Sequence, residues 1–328
     1  MLELHNQILK TTGASSIEST QSVQALWSGY GEIKRVFLKG GKYPSIIAKH
    51  IQLPKKNQHP RGWNTPISHQ RKLTSYQVER KWYQQFANQT TEHCRVPHSY
   101  HVLENENELL LIMEDLDANG YLIRMHHNNV TLDAVKSCLS WLAHFHAKFL
   151  HVAPNGLWPI GTYWHLDTRP DEWHKMNNTQ LKQAAEGIND RLNRATYQTF
   201  VHGDAKIANF CFAETGAVAA VDFQYVGGGC GMKDVAYFIS SCFTEEACEA
   251  YEQRLLDHYF AQLAIALDPA VDYLAVKKEW SELYRYAWAD FYRFLDGWSP
   301  GHWKMHNYSE RITRQVIEEL GNERKGKS

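Results

Sequence analysis

The sequence feature that most constrains this chain is the run V-H-G-D-A-K-I-A-N-F-C-F at residues 201–212. In it Asp204 precedes Asn209 by five positions, and a second acid, Asp222, follows after a short turn. Phosphoryl transfer needs Mg²⁺, which prefers carboxylate and amide oxygens, and a carboxylate that orients the attacking hydroxyl. Each residue alone would most often be a turn residue, but the ordered set predicts a phosphoryl-transfer site. We expect Asp204 to act as the catalytic base, and Asn209 and Asp222 to bind Mg²⁺.

Short apolar runs flank these polar residues. Phe200 and Val201 are typical of one strand, residues 209–212 of the next, and Gly216 turns the chain into residues 217–223. A strand, a loop and a hairpin in this order are expected to bring the three polar side chains to one edge of a small sheet.

Two further segments accompany this set, M-E-D-L at residues 113–116 and L-A-H-F-H-A at residues 142–147, and Asp222 opens the triplet D-F-Q. Together these motifs resemble the aminoglycoside phosphotransferase and choline kinase superfamily, and most closely its ecdysteroid-kinase-like branch. The resemblance implies an ATP-dependent kinase of a small-molecule hydroxyl, with ATP and Mg²⁺ as cofactors. It also implies an α+β, two-lobed protein-kinase-like fold, with a small sheet lobe at residues 1–115 and a larger, mostly helical lobe at residues 116–328.

Such a fold requires a phosphate-binding lysine on a strand and a glutamate on the helix that follows. Lys49 is the one cation in the strand-like run at residues 44–51. Glu79 is the single acidic residue between residues 50 and 91, and it lies in a helical pattern of apolar side chains. We therefore expect Glu79 to pair with Lys49; a surface glutamate that pairs with a neighbour is the alternative.

Two more parts of a nucleotide site follow from the resemblance. Gly29 and Gly31 stand in a predicted hairpin before Lys49, where the backbone could approach the phosphates closely. A plain hairpin is equally consistent with this G-x-G pattern. Glu114 and Leu116 mark the hinge whose backbone groups would hold adenine, with a buried strand that enters an acidic loop as the competing interpretation.

Two positions depart from the usual pattern of the wider group. Lys206 stands two residues after Asp204, where it would contact the γ-phosphate; a solvent-facing lysine is the alternative. Gln224 replaces the glycine of the D-F-G triplet of protein kinases, and the glycine-rich loop at residues 225–232 leaves no room for a long activation segment. The sequence therefore argues against a protein kinase. Asp234, at the start of an apolar helix, would brace the catalytic loop or cap the helix.

Aromatic side chains crowd the C-terminal part of the chain, at Trp280, Tyr284, Tyr286, Trp288, Phe291, Tyr292, Phe294, Trp298 and Trp303. Such a cluster lines a pocket for a ring-bearing alcohol or a quaternary ammonium, or it packs as core, since several members follow helical spacing. The motif describes only the phosphate side of the reaction. The acceptor therefore stays open among ecdysteroid-like, choline-like and aminoglycoside-like alcohols.

Composition agrees with a two-lobed enzyme. The 328 residues are 43% hydrophobic, which is enough for a substantial core, and a net charge of −1 argues against a nucleic-acid or membrane-surface partner. The six cysteines show no C-x-x-C spacing, and the N-terminus has no signal-peptide core, so we expect reduced thiols and a cytoplasmic protein.

A nucleotide-binding pseudokinase or sensor without turnover is the alternative function. We would expect such a protein to have lost Asp204, Asn209 or Asp222, and the chain retains all three. The sequence therefore favours an enzyme that acts on a small-molecule alcohol.

Overall fold

The structure, a computed structural model, describes residues 2–26, 29–52, 66–105 and 107–326. The chain forms two compact units. The first consists of the chain up to Thr91, Arg95–Ile123 and Cys211–Val221, and the second of Glu92–Cys94, Arg124–Phe210 and the chain from Asp222 onward.

An antiparallel sheet of five strands forms the centre of the first unit. Its order is β1-β2-β3-β5-β4, and the strands are β1 Ser16–Ala25, β2 Gly31–Lys39, β3 Ser45–Gln52, β4 Ser99–Glu104 and β5 Glu108–Glu114. The β-branched run of β3 suits a central strand, because branched side chains pack well on a pleated surface. Helix α1, Leu2–Thr12, buries Ile8 against Ile46 and Ile112 of this sheet.

Helix α2, Pro66–Gln85, carries a stripe of buried residues that includes Tyr76, Val78 and Trp82. Tyr76, Glu79 and Trp82 follow one another at three-residue steps, and Val78 lies four residues before Trp82, so these residues share one helix face. Glu79 lies within this stripe and is 2% exposed, so the helix brings one carboxylate into an otherwise apolar face.

Helices dominate the second unit. They are α3 Leu132–Lys148, α4 Pro170–Lys175, α5 Thr179–Asn193, α6 Met232–Cys242, α7 Glu245–Ala266, α8 Tyr273–Trp298 and α9 Asn307–Lys325. The α3 helix begins at a threonine cap, because the Thr131 hydroxyl accepts a hydrogen bond from the Ala134 N–H at 3.2 Å. An N-terminal sheet region followed by a helical region confirms the expected α+β class.

Most of the aromatic cluster is core. Trp280, Trp288, Phe291 and Phe294 of α8 are at most 3% exposed. At the end of α8 the pattern changes, because Trp298 and Trp303 are 40% and 44% exposed. Packing therefore accounts for the middle of the cluster and leaves its C-terminal end open to solvent.

The short strands around the catalytic motif depart from the expectation of one small sheet. Strand β7, Thr199–Val201, pairs with β10, Gly227–Gly229, whereas β8, Phe210–Phe212, lies with β9, Val218–Ala220, in a different sheet. The chain also contains β6, Ile123–Arg124. Strand β9 ends at Ala220, so Asp222 follows the strand rather than lying on it. The expectation that three polar residues share one sheet edge is therefore wrong.

All six cysteines are buried, as thiols rather than disulfides. Among the described residues, no helix combines the length and apolar character that a bilayer crossing requires.

Candidate active site

Asp204 lies in the loop after β7 and is 7% exposed. Its carboxylate accepts hydrogen bonds from Lys206 Nζ at 2.8 Å, Asn209 Nδ2 at 3.1 Å and Tyr237 Oη at 3.0 Å. Three hydrogen-bond donors, two at Oδ2 and one at Oδ1, fix the orientation of this carboxylate. The loop therefore presents one buried, rigidly held acid, as a residue that orients a hydroxyl requires.

Lys206 pairs with Asp204, and its side chain is 39% exposed. Burial lowers the pKa of Lys206, but the charge and hydrogen bond of Asp204 and the charge of Asp222 outweigh burial, so that its pKa is raised. Lys206 is thus a cation that faces both acids of the motif. The structure places it on Asp204 rather than simply out in solvent.

Asn209 directs its amide nitrogen toward Asp204, donating to the backbone carbonyl at 2.7 Å as well as to the side chain. This assignment of the amide leaves Asn209 Oδ1 without a hydrogen-bond donor among the described residues. Asp222 has a left-handed φ of 69°, and its Oδ1 accepts from Gln224 Nε2 at 2.8 Å. One amide oxygen and one carboxylate are hard oxygen donors that fit Mg²⁺ or Ca²⁺.

Asp234, in the first turn of α6, braces the catalytic loop. Its carboxylate accepts from the His202 N–H at 2.5 Å and from the Gly203 N–H at 3.0 Å. The buried His146 contacts the same carboxylate at 3.2 Å and Tyr259 Oη at 2.8 Å. Asp234 therefore holds the backbone of the Asp204 loop rather than acting as a simple helix cap, and His146 helps to orient Asp234.

Tyr237 is a site residue that sequence reasoning missed. It lies 33 residues after Asp204, on a helix whose apolar pattern gives no sign that one hydroxyl turns toward the loop. Burial, followed by the charge of Asp204, raises the pKa of Tyr237 well above its ordinary value. The phenol therefore stays protonated and remains a donor to the carboxylate.

In the first unit, Lys49 of β3 meets Glu79 of α2. Lys49 Nζ lies 2.9 Å from Glu79 Oε1 and 2.7 Å from Oε2, with the two side chains 3% and 2% exposed. The lysine that the strand pattern singles out and the solitary glutamate of the following helix thus form one buried ion pair.

The M-E-D-L segment continues from β5 into a tightly held bend. Glu114 accepts from Arg95 and from the His98 N–H, while Asp115 accepts from Arg35 Nε at 2.7 Å and Ser45 Oγ at 2.6 Å. Both carboxylates are therefore already engaged in hydrogen bonds that hold this bend in place. Sequence reasoning did not identify their partners, which lie 16 to 80 residues away.

Leu116 buries its side chain against Cys211 and Ala219. Its backbone N–H has no acceptor within the described ranges, whereas its carbonyl accepts from Asn119 and Tyr121. The bend thus offers one unused backbone donor.

Gly29 and Gly31 flank Tyr30 at the start of β2, with positive φ angles of 73° and 132°. The lack of a side chain at Gly31 has a reason within the sheet, because a Cβ there would lie 2.0 Å from the His50 carbonyl oxygen of β3. A Cβ at Gly29 would meet nothing within 4 Å. Trp27 and Ser28, which precede Gly29 in the hairpin predicted to cover the phosphates, lie outside the described residues.

The model of the ecdysteroid kinase-like family matches residues 56–153 and 162–270. No curated protein matches the chain.

Solved structures show the fold. The chain is similar to an amicoumacin kinase in complex with AMP-PNP, Ca²⁺ and Ami, with a TM-score of 0.57 and 11% identity over 98% of this chain and 93% of the other. It is also similar to a choline kinase from Cryptosporidium parvum, with a TM-score of 0.55 and 11% identity over 98% and 96% of the two chains. A spectinomycin phosphotransferase in complex with ADP and spectinomycin matches at a TM-score of 0.50 and 11% identity, over 97% and 96%.

Proposed function

Because the chain belongs to the ecdysteroid kinase-like family, we propose that it transfers the γ-phosphate of ATP to a hydroxyl group of a small-molecule alcohol. The observation that carries this proposal is the buried Asp204 carboxylate, held by three donors in the same loop as the amide oxygen of Asn209. Phosphoryl transfer depends on positioning and charge neutralisation more than on covalent chemistry by the protein. A rigid acid beside hard oxygen donors supplies both.

In this proposal Asp204 accepts a hydrogen bond from the acceptor hydroxyl and takes its proton as the new P–O bond forms, while the bond between the γ-phosphorus and the β,γ-bridging oxygen breaks and ADP leaves. Tyr237 and Asn209 keep the carboxylate aimed at the hydroxyl, because each donates to it directly. Lys206, which is partly exposed, moves from Asp204 to an oxygen of the γ-phosphate once nucleotide is present. Asp234 acts only through the loop backbone.

Asn209 Oδ1 and the Asp222 carboxylate would hold Mg²⁺, since their oxygen donors match what this ion prefers. When bound, the ion neutralises charge on the phosphate oxygens. Gln224 steadies Asp222 through its hydrogen bond to Oδ1.

The nucleotide is assigned to residues of the first unit. Lys49, held by Glu79, binds phosphate oxygens, and the backbone at Gly29 and Gly31 covers the phosphates. The unused Leu116 N–H, next to the backbone of Glu114, is available to the adenine edge.

Binding of Mg-ATP is the first test. A ligand that binds only the folded state adds about 2.7 kcal/mol of stability at about 100 times its Kd. We expect Mg-ATP, but not ATP with a chelator, to raise the thermal unfolding midpoint, and Asp222→Ala to abolish the rise. An unchanged midpoint for the wild-type protein would contradict nucleotide binding.

Turnover is the second test, read as ADP release with a panel of small alcohols. Asp204→Asn preserves the size of the side chain but removes the base, so turnover should fall by about 10²- to 10⁴-fold. Nucleotide binding should persist. Asp190→Asn, on the surface of α5, is the control that keeps wild-type turnover. Mg-ATP binding without ADP release for any acceptor would favour the sensor alternative.

A further inference from the structure

Lys304, in the turn between α8 and α9, is a buried cation that the proposed reaction does not use. Its side chain is 9% exposed. In the described part of the chain its ammonium group has no hydrogen-bond acceptor and no ion-pair partner. Burial of a charge without a partner is costly, so this position needs an explanation.

Aromatic rings surround the ammonium group. Lys304 Nζ lies 4.7 Å from the ring centre of Tyr237, 5.2 Å from that of Phe291 and 5.6 Å from that of Trp303. Cation–π attraction to these rings offsets part of the desolvation cost. It leaves all three N–H donors of the ammonium group available to an oxygen acceptor.

The same Tyr237 links Lys304 to the catalytic loop, because its ring contacts the ammonium while its hydroxyl donates to Asp204. Asp204 itself is already paired with Lys206. Burial lowers the pKa of Lys304 to about 8, although the charge of Asp204 opposes this, so the group is mainly a cation at neutral pH. A second positive charge, without an ion-pair partner among the described residues, therefore stands one ring away from the proposed catalytic base.

Beside Lys304 the aromatic cluster opens to solvent. Trp303 is 44% exposed and stacks on His127 at 5.1 Å. Trp298 is 40% exposed and stacks on Phe294 at 5.5 Å. Two partly exposed indole rings, one of them in contact with the buried ammonium, suit a ligand that combines an apolar ring with an anionic group.

We propose that Lys304 is a specificity-determining residue that binds a carboxylate or other anionic oxygen group of the acceptor alcohol, and that it disfavours acceptors carrying an ammonium group. This assignment of a substrate class rests on the proposed kinase function. The positive charge repels a choline-like or aminoglycoside-like acceptor at the point where its hydroxyl must reach Asp204. An anionic acceptor instead supplies the missing partner for the ammonium.

Three acceptors that share a benzyl alcohol unit and differ in the charge of the para substituent test the charge preference: 4-(hydroxymethyl)benzoate, benzyl alcohol and 4-(hydroxymethyl)benzyltrimethylammonium. With the wild-type enzyme, kcat/KM should be highest for the carboxylate and lowest for the ammonium compound. In Lys304→Met the carboxylate should lose about tenfold or more, as expected for a lost hydrogen bond to a charged group. Benzyl alcohol should change little, and the ammonium compound should gain.

Two variants complete this experiment. Lys304→Arg keeps the charge and should keep the order of the three acceptors. Lys277→Met removes another lysine that lies over an aromatic ring, that of Phe260, and should leave the order unchanged. An equal loss for all three acceptors in Lys304→Met would place the lysine on the transferred phosphate or in the packing, and would overturn the proposal.

Amine labelling of the wild-type protein tests the site without turnover. Trace acetic anhydride, followed by peptide mass spectrometry, reports the reactivity of each lysine. 4-(Hydroxymethyl)benzoate should slow the labelling of Lys304 but not of Lys277, and the ammonium compound should protect neither. Protection without ADP release would support the anion site at Lys304 and contradict the kinase proposal. ADP release with no charge preference and no protection would support the kinase proposal and contradict the anion site.

Discussion

Lys49 and Glu79 form an ion pair that is almost sealed from solvent, and its energetics can be measured. A buried pair gains its attraction in a poorly screened environment, but each charge alone is costly there. We expect Lys49→Met to destabilise the protein by about 3–5 kcal/mol, because it removes the ammonium group that neutralises the buried Glu79 carboxylate. Lys49→Met combined with Glu79→Leu should cost less than the sum of the two single changes.

Denaturant unfolding of the four proteins of this cycle gives the coupling energy. The exposed pair of Arg314 and Glu310, with side chains 65% and 50% exposed, is the matched control. Its coupling should not exceed about 0.5 kcal/mol, as is usual for surface pairs on a helix. A Lys49–Glu79 coupling as small as this control would contradict a structural role for the buried pair.

At the scale of single residues, the sequence identifies a site residue best where a segment contains only one residue of the required chemical type. Glu79 could be singled out because its segment contains no other acid. Tyr237 and Arg35 could not, since their contacts to Asp204 and Asp115 span 33 and 80 residues and depend on packing that no local pattern records. Lys304 was missed for the same reason: its aromatic neighbours predict core, and the buried cation shows only in three dimensions.

At the scale of loops and helices, the catalytic loop depends on one glycine. Gly203 has a φ of +78°, and a Cβ there would lie 2.1 Å from the Tyr225 carbonyl oxygen. Gly203→Ala should therefore cost more than the about 1–2 kcal/mol of a left-handed alanine, and turnover should fall because the Asp204 loop shifts.

Gly216→Ala is the control for backbone strain alone. Its φ is +82°, yet a Cβ there would meet nothing within 4 Å. Thermal unfolding of the two variants separates the clash from the strain. Equal destabilisation by the two substitutions would show that the loop relaxes around the new methyl group.

Glu252 of α7 should make stability depend on pH. Burial raises its pKa to about 7 from 4.5, against the opposing effects of Tyr284 and Arg311. The folded protein therefore binds more protons than the unfolded chain between pH 4.5 and 7, so stability from this group falls as pH rises through that window. We expect the Glu252→Gln variant to lose less stability than the wild-type protein as the pH rises through this window.

Unfolding midpoints at pH 5 and pH 8 measure this effect. The difference between the two pH values should be smaller for Glu252→Gln than for the wild-type protein. Glu318→Gln, on the exposed face of α9, should keep the wild-type difference. A Glu252→Gln variant that loses as much stability as the wild type between pH 5 and 8 would exclude the carboxyl as the source.

The sequence predicted elements where local propensity and tertiary packing agree. The β-branched run of β3 forms a strand and the spaced apolar residues around Glu79 form helix α2, as the sequence predicts. Strand β10 consists of three glycines, which lack strand propensity and were assigned to a loop. A Cβ at Gly227 would lie 2.2 Å from the Trp158 carbonyl oxygen, so the close approach of the two backbones requires glycine at this position of the strand.

At the scale of the whole molecule, the chain order does not follow the compact units. The first unit includes Cys211–Val221, a segment that follows Arg124–Phe210 of the second unit in the chain. The family resemblance implies a boundary near residue 115, and the local sequence pattern shows only where strands give way to helices. It cannot show that a later hairpin belongs with the earlier strands, since that depends on long-range packing.

The hairpin contributes to the first unit through specific contacts. Cys211 and Ala219 cover Leu116 and Tyr121, and the Ala220 N–H donates to the Arg95 carbonyl at 3.0 Å. Residues 1–123 expressed alone would expose this cluster. Loss of the burial of Leu116 alone costs about 1.5–3 kcal/mol.

We therefore expect the fragment of residues 1–123 to unfold at a lower temperature than the same fragment joined to residues 211–221. The joint is a flexible Gly/Ser linker of about 15 residues, which is long enough for the hairpin to reach its site. A scrambled hairpin on the same linker is the control and should give no stabilisation, because it cannot cover Leu116 or pair with Arg95. Thermal unfolding followed by circular dichroism, with a hydrophobic dye to report exposed apolar surface, distinguishes the three fragments. Equal midpoints for the bare and the hairpin-linked fragments would mean that the sheet and its helices are stable without this segment, and that its contacts add little to the unit.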